Sequence, residues 1–466
     1  MLKYISGLLA VVFAAPGTIR ADEPVSTSSP RPIPLTRLEM KQLIEDMKSR
    51  KPRIPLPELS DADKKKLEER GSNAMGYEGR LRSEYMSSGE GRGGSGGGFG
   101  LIEKDSESSL DYAFKVQLFW IVCRANNCQY CQGHQEGKLL RAGQKEDEIA
   151  ALDGDWSEFT PAQQAAFAFA RKITYQPHLF NDVDIENLRK YYKDNQILEM
   201  ILSVAGNNAI NRWKEGTGVP QSAGGGGFRA DPKATTDTPA KHTYLTPTSD
   251  AYKTKISKVA PIFTDEKTGK LTSLTICRRP ALESREDVEK SLDLARIRKP
   301  RLPLVDEAKA REILPADWPK DSLSQWVRLL ATFPGIGKSR ILSDRSADTK
   351  GDLKPLLKAQ VSWIIARQDR AWYATGQSKR RLLDLGQTEE QIYKLDGDWT
   401  EYTPSERAMF TVARKLAASP VVLTDDEVAL AVKLAGPRDV VQLINYTTNR
   451  ASFDRITEAA GLQLEK

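Results

Sequence analysis

Two stretches decide the fold of this chain: Gln117–Pro161, QLFWIVCRANNCQYCQGHQEGKLLRAGQKEDEIAALDGDWSEFTP, and Gln360–Pro404, QVSWIIARQDRAWYATGQSKRRLLDLGQTEEQIYKLDGDWTEYTP. They align without a gap at an offset of 360 − 117 = 243, and 20 of the 45 positions are identical. Identity at that density in a gapless window means that the two stretches share a fold. Cys128, Cys131 and His134 of the first copy become Ala371, Ala374 and Gln377 in the second. One copy therefore carries a candidate reactive site and the other only the scaffold that would hold it.

The repeat extends in both directions. Arg212, Glu215 and Gly218 match Arg455, Glu458 and Gly461 at the same offset, while RKPRIPLP (Arg50–Pro57) returns as RKPRLPLV (Arg298–Val305) at 298 − 50 = 248. The five extra residues fall naturally in the glycine run Gly89–Gly100, which lacks the Lys and Ser/Thr of a phosphate-binding loop and reads as a flexible insertion. A Gly-, Pro- and Thr-rich stretch near Gln221–Lys255 reads as a linker. The expected organisation is a signal over 1–21, a Pro-rich arm with the insertion over 22–100, a first repeat with the Cys-x-x-Cys pair over 101–220, a linker over 221–280 and a degenerate repeat without that pair over 281–466. The duplicated arms are expected to pack across a neighbouring repeat.

Within each repeat the periodicity is helical, which predicts an all-α fold of two tandem repeats joined by a Gly/Pro-rich linker. Leu110–Arg124 is apolar nearly all round, as in a buried helix. Asn126 and Asn127 are candidate caps for a helix from about Cys128 to Ala142 that Gly143 can end. Thr160-Pro161 is a good cap and first-turn pair for a helix to about Tyr175. The DGDW turns, Arg124 and Arg367 occur in both copies and read as structural, with Trp156 and Trp399 as plugs.

An apolar content of 39% supports real cores, and a formal charge of +6 spread over 466 residues does not indicate nucleic-acid binding. Lys3 ahead of the apolar run Ile5–Ala15, then small residues to Ala21, reads as an export signal. The run is shorter than the ~20 residues of a membrane span, so the expectation is a periplasmic or extracellular protein without stable membrane insertion after cleavage. Four cysteines are too few for a disulfide scaffold in a chain of this length.

Cys128 and Cys131, three residues apart at a helix start, share a face and can form a reversible disulfide. The positive end of the helix favours thiolate, and His134, a further turn along, is a candidate proton acceptor. Such a set suits two-step redox chemistry, in which one sulfur becomes a sulfenic acid and the other resolves it. A structural disulfide and a Cys3His zinc set using Cys123 are the alternatives. Cys123 aligns with Ala366 and reads instead as a small core residue. No cofactor is implied.

The Cys-x-x-Cys helix start, with LLRAGQKEDEIAAL (Leu139–Leu152), the Thr160-Pro161 helix and NRWKEGTGVP (Asn211–Pro220), resembles the carboxymuconolactone decarboxylase superfamily, most closely its alkylhydroperoxidase D-like (AhpD-like) branch. The resemblance covers about 110–220 and, more weakly, 326–462. It implies Cys128 and Cys131 as a redox pair, a peroxide or disulfide substrate, a thiol reductant and self-association through repeat interfaces. A lactone decarboxylase activity is a further reading, although no carboxylate-binding site marks the chain. The branch's relay glutamate, twelve residues before the first cysteine, is replaced by Val116 beside Gln117. Its relay histidine, four residues after the second, is replaced by Gln135, with His134 one place early.

Overall fold

The computed structural model describes residues 29–69, 76–86, 106–221, 243–264, 271–273 and 282–465. The expected signal, the glycine run at 89–100, most of the Gly-rich part of the linker, His242 and Cys277 lie outside these residues.

Thr36 starts the arm helix α1 (Arg37–Asp46): its hydroxyl accepts from the Glu39 N–H while the Glu39 carboxylate accepts from the Thr36 N–H. A 3-10 turn at Met47–Ser49 continues it, and α2 (Asp61–Glu69) and α3 (Tyr77–Tyr85) follow. The body of the first half is α4 (Tyr112–Asn126), α5 (Gln129–Arg141), α6 (Glu146–Ala151), α7 (Pro161–Tyr175), α8 (Asp182–Arg189) and α9 (Asp194–Thr217). Between the halves lie α10 (Asp250–Lys253) and a short antiparallel hairpin, β1 (Ile262–Thr264) and β2 (Leu271–Ser273), the one strand pair among the described residues. The second half comprises α11 (Arg285–Ile297), α12 (Glu307–Arg311), α13 (Gln325–Leu330), α14 (Pro334–Thr349), α15 (Pro355–Asp369), α16 (Trp372–Asp384), α17 (Glu389–Lys394), α18 (Pro404–Ala417), α19 (Asp425–Ala435) and α20 (Pro437–Ala459). The fold is all-α.

Adding 243 to the bounds of α4, α5 and α6 gives those of α15, α16 and α17 to the residue, and adding 248 to Arg37–Ser49 gives α11. The local causes recur as well. Thr160 and Thr403 cap α7 and α18 with proline in the first turn. Each DGDW turn puts its tryptophan at positive φ, with the indole N–H of Trp156 donating to Leu152 O at 2.9 Å and that of Trp399 to Leu395 O at 2.7 Å. Arg124 binds Asp153 and Arg367 binds Asp396, both at 3.0 Å, so each buried arginine ties its long helix to the DGDW turn.

The halves pack along α9 and α20, so closely that a Cβ on Gly216 would come within 2.8 Å of Ile444. The arms exchange contacts across this plane. Arg53 binds Asp425 at 2.6 Å and Arg301 binds Asp182 at 2.7 Å, where 301 − 53 = 248 and 425 − 182 = 243. One contact made twice in opposite senses is what a two-fold relation between halves produces. At the centre Arg212 and Arg455 both donate to Ser419 Oγ, at 2.7 and 3.2 Å.

Two local expectations change. The described part of the linker lies against the first half: Tyr244 is buried, the Ser257 N–H donates to Leu35 O at 2.9 Å, and the Lys258 N–H donates to Asp153 O at 2.8 Å. A segment whose backbone donors end on the first half is part of its surface. The cap of α5 is Cys128 itself, because Asn127 takes the left-handed conformation (φ 59°) that closes α4.

Candidate functional site

The turn between α4 and α5 builds the site. Once Asn127 has turned the chain, the Cys128 N–H bonds back to Cys123 O at 3.0 Å, which leaves Cys128 at the N-cap of α5 and Cys131 in its first turn. Asn127 adapts to positive φ more easily than most residues. The same turn recurs in the second half, where Arg370 is left-handed and the Ala371 N–H reaches Ala366 O at 2.9 Å.

Cys123, Cys128 and Cys131 are all buried free thiols. The thiols of Cys123 and Cys128 lie near enough to act electrostatically with that of Cys131, and Asn211 Nδ2 donates to Cys123 Sγ at 3.4 Å. Cys123 is buried in the core, as read from the sequence, and lies near the pair. A crevice of about 10 Å³ is lined by Cys123 and Cys128 together with Pro34 and Met40 of the arm. The arm is fastened to the first half from α1, where Arg37 binds Glu136 at 2.9 Å and Glu146 at 2.6 Å, and Lys41 binds each of the same pair at 2.8 Å.

Two cations flank the sulfurs. Arg31 pairs with Glu215, and its guanidinium acts electrostatically on Cys128; Lys214 pairs with Glu78, lies 4.6 Å from the Tyr130 ring centre and acts on Cys131. Burial nonetheless pushes both thiols well above the ordinary range, outweighing the cations, so the closed site rests as neutral dithiol. Burial also works against Lys214, but Glu78 more than compensates and raises it, so it remains a cation. Glu78 would be raised by burial, yet Lys214 and Arg82 hold it at about 2.

His134 faces elsewhere. Its Nδ1 lies 2.9 Å from Tyr130 O, so it donates to its own helix, and its ring packs on Tyr130 with centres 4.4 Å apart. Neither sulfur is among its hydrogen-bond partners, and burial lowers it to about 3, where it is a weak base at neutral pH. Val116 is core, and Gln135 Nε2 donates to Cys131 O at 3.1 Å. The sequence reasoning missed Arg31 and Lys214. Lys214 had a signal: it becomes Thr457 in a helix that otherwise keeps the flanking Arg212/Arg455 and Glu215/Glu458 pairs.

Among the described residues no group of three or more His, Cys, Asp or Glu is arranged to hold a metal ion, and no helix is long and apolar enough to cross a membrane. No protein-family model matches the chain, and no curated protein matches it.

Proposed function

We propose that the first half is a thiol-disulfide redox centre in which Cys128 and Cys131 cycle between dithiol and disulfide, acting on a peroxide or a disulfide. The observation that carries the reading is the placing of two buried free thiols at the start of one helix, Cys128 at the N-cap of α5 and Cys131 in its first turn, with the Lys214–Glu78 pair against the neighbouring Tyr130 ring. The resemblance of the surrounding motifs to the alkylhydroperoxidase D-like branch supports the same chemistry, and the Lys3–Ala21 pattern supports its taking place outside the cytoplasm.

With a peroxide, a cysteine thiolate attacks one oxygen, the O–O bond breaks, and the departing alkoxide takes a proton. The sulfur is then a sulfenic acid. The second thiol displaces its hydroxyl as water and the disulfide forms; an external dithiol returns two electrons and two protons. Cys128 lines the crevice and Cys131 lies behind it, which favours Cys128 as the sulfur that meets the substrate. Lys214 stabilises negative charge on Cys131, a part the sequence had given to His134.

Consumption of hydrogen peroxide and cumene hydroperoxide by the purified protein with dithiothreitol tests the reading. Activity is expected in the native protein and none in Cys128→Ser; Cys131→Ser is expected to stall as a sulfenic acid that dimedone traps. Full turnover by Cys131→Ser would exclude the mechanism. The burial of both thiols favours one rival, a non-catalytic binding or structural protein. For that rival, a Cys128–Cys131 disulfide made by oxidation should resist dithiothreitol in the folded state.

A further inference from the structure

The mechanism above uses two of the three buried thiols at this turn and gives Cys123 no part. The backbone nonetheless holds Cys123 at the pair. The Asn127 N–H bonds back to Arg124 O at 3.4 Å and the Cys128 N–H to Cys123 O at 3.0 Å, the double closure that folds a helix end onto the residues beyond it. Cys123 is therefore one backbone hydrogen bond from the N-cap of α5, and it lines the same crevice as Cys128. Cys131, in the first turn of α5, is the thiol on which both of the others act.

The second half shows what this turn needs when there is no sulfur chemistry. It closes in the same way, with the Ala371 N–H on Ala366 O at 2.9 Å, so the fold itself does not require a thiol at the Cys123 position. The three sulfurs differ as a set: Cys123, Cys128 and Cys131 stand where the second half has Ala366, Ala371 and Ala374. A neighbour differs with them. Asn211 Nδ2 donates to Cys123 Sγ at 3.4 Å, and its counterpart is Asp454. Asp454 and Ala374 both line a cavity of about 210 Å³ at the second turn, so the places of Asn211 and Cys131 border one space. An amide N–H can stabilise a thiolate, whereas an ionised carboxylate has no proton to give. The half with sulfurs has the amide. Burial raises the Cys123 thiol, while Asn211 and Lys138 pull it down.

On the redox reading of Cys128 and Cys131, on which this depends, we propose that Cys123 is a third redox thiol that takes the disulfide over from Cys128. The Cys123 thiolate attacks the Cys131 sulfur, the Cys128–Cys131 bond breaks, and its electron pair leaves on Cys128. Cys128 takes up the proton that Cys123 gave, so one disulfide and one thiol become another disulfide and another thiol with no net oxidation. Arg31 acts on Cys128, which puts a cation beside the departing thiolate. The exchange returns Cys128, which lines the crevice, to its reduced form before an external dithiol arrives, ready for a second peroxide.

The test counts peroxide and maps disulfides, in a Cys277→Ser chain so that only the three thiols of the turn react. Without reductant the chain should consume about two equivalents of hydrogen peroxide, the second leaving a Cys128 sulfenic acid that dimedone traps; Cys123→Ala, which copies Ala366, should consume about one. Trypsin cuts after Lys115, Arg124 and Lys138, which puts Cys123 in one peptide and Cys128 and Cys131 in the next. After a single equivalent of peroxide and blocking with N-ethylmaleimide, the two peptides should be joined, with the label on Cys128. Diamide should join them in Cys128→Ser as well. A Cys128–Cys131 disulfide that forms while the peptides stay apart, a join that leaves the label on Cys131, or equal peroxide counts with and without Cys123 would overturn the proposal and leave the chemistry of the pair standing. No disulfide among the three would overturn both.

Discussion

The starts of α5 and α16 are the same turn built twice, with opposite contents. In the first, sulfurs fill the space under the helix and Lys214 stands beside them; in the second, alanines leave that space open, Thr457 replaces the lysine, and Arg450 and Asp454 take over the wall. The scaffold contacts recur: Arg124 binds Asp153 as Arg367 binds Asp396, and Glu215 pairs with Arg50 as Glu458 pairs with Arg298. The fold therefore rests on the shared set, and the interior of each half is free to specialise. The largest asymmetry in stability is expected at the plane between the halves. Arg455 is fully buried against Asp369 at 2.8 Å, whereas its counterpart Arg212 meets carbonyls, Asn208 and Ser419. Arg455→Met leaves a buried carboxylate unpaired and should cost about 3–5 kcal/mol. Arg212→Met leaves only neutral acceptors unmet and should cost about 1–3 kcal/mol. Denaturant melts of both variants check the order, and equal losses would mean that the two-fold contact is energetically symmetric.

The halves should also answer pH with opposite signs. Burial would raise Glu136, but Arg37 and Lys41 outweigh it and hold it near 2, below its ordinary 4.5. The stability it contributes is complete above its unfolded pKa and is lost as pH falls from about 4.5 towards 2. Asp454 is shifted the other way by burial, so the stability tied to it is complete below 3.8 and is lost as pH rises past that value. Glu136→Gln should flatten the acid limb of stability against pH. Asp454→Asn should raise stability at neutral pH, where burial works against the ionised carboxylate. A flat Asp454→Asn profile would mean that the carboxyl is already paired in solution.

Most of the helical frame was legible in the sequence because its causes are local. The Thr160-Pro161 cap, the apolar run at Leu118–Val122 and the repeat offset each act within a turn or two of chain. The site was legible as a pair of sulfurs and no further. Cys123 looks inert in one dimension because it aligns with alanine, and it meets Cys131 only when α4 and α5 fold back on each other. Arg31 and Lys214 come to the thiols from segments about a hundred residues before and eighty after, a convergence that no local pattern encodes. Helical spacing fixes a face but not a rotamer, and the His134 ring bonds to Tyr130 O of its own helix.

The assignment of charge beside the sulfurs can be sharpened next. Lys214→Met should raise the thiol pKa of the pair and slow iodoacetamide labelling about tenfold at pH 8, since only thiolate reacts. Lys214→Arg should restore most of the rate. His134→Ala should change it by less than about twofold, because a neutral ring bonded to its own helix contributes no charge. Equal effects of Lys214→Met and His134→Ala would return the proton-handling role to the histidine.

The smallest change asks whether the sulfurs alone make the site. Ala371→Cys/Ala374→Cys in a Cys128→Ser/Cys131→Ser background rebuilds the pair on the turn that α16 already provides. Both alanines are buried and Ala374 lines the cavity, which leaves room for its sulfur, so stability should shift by less than about 1 kcal/mol. The thiols would face Thr457 where the native pair faces Lys214, and Asp454 where Asn211 stands in the first half. The lysine that acts on Cys131 has no counterpart there, since Thr457 stands in its place. The transplanted pair should oxidise to a disulfide under strong oxidant yet consume no peroxide at the native rate. Native-like turnover from α16 would show that two sulfurs on this turn suffice and that the cations beside α5 are incidental.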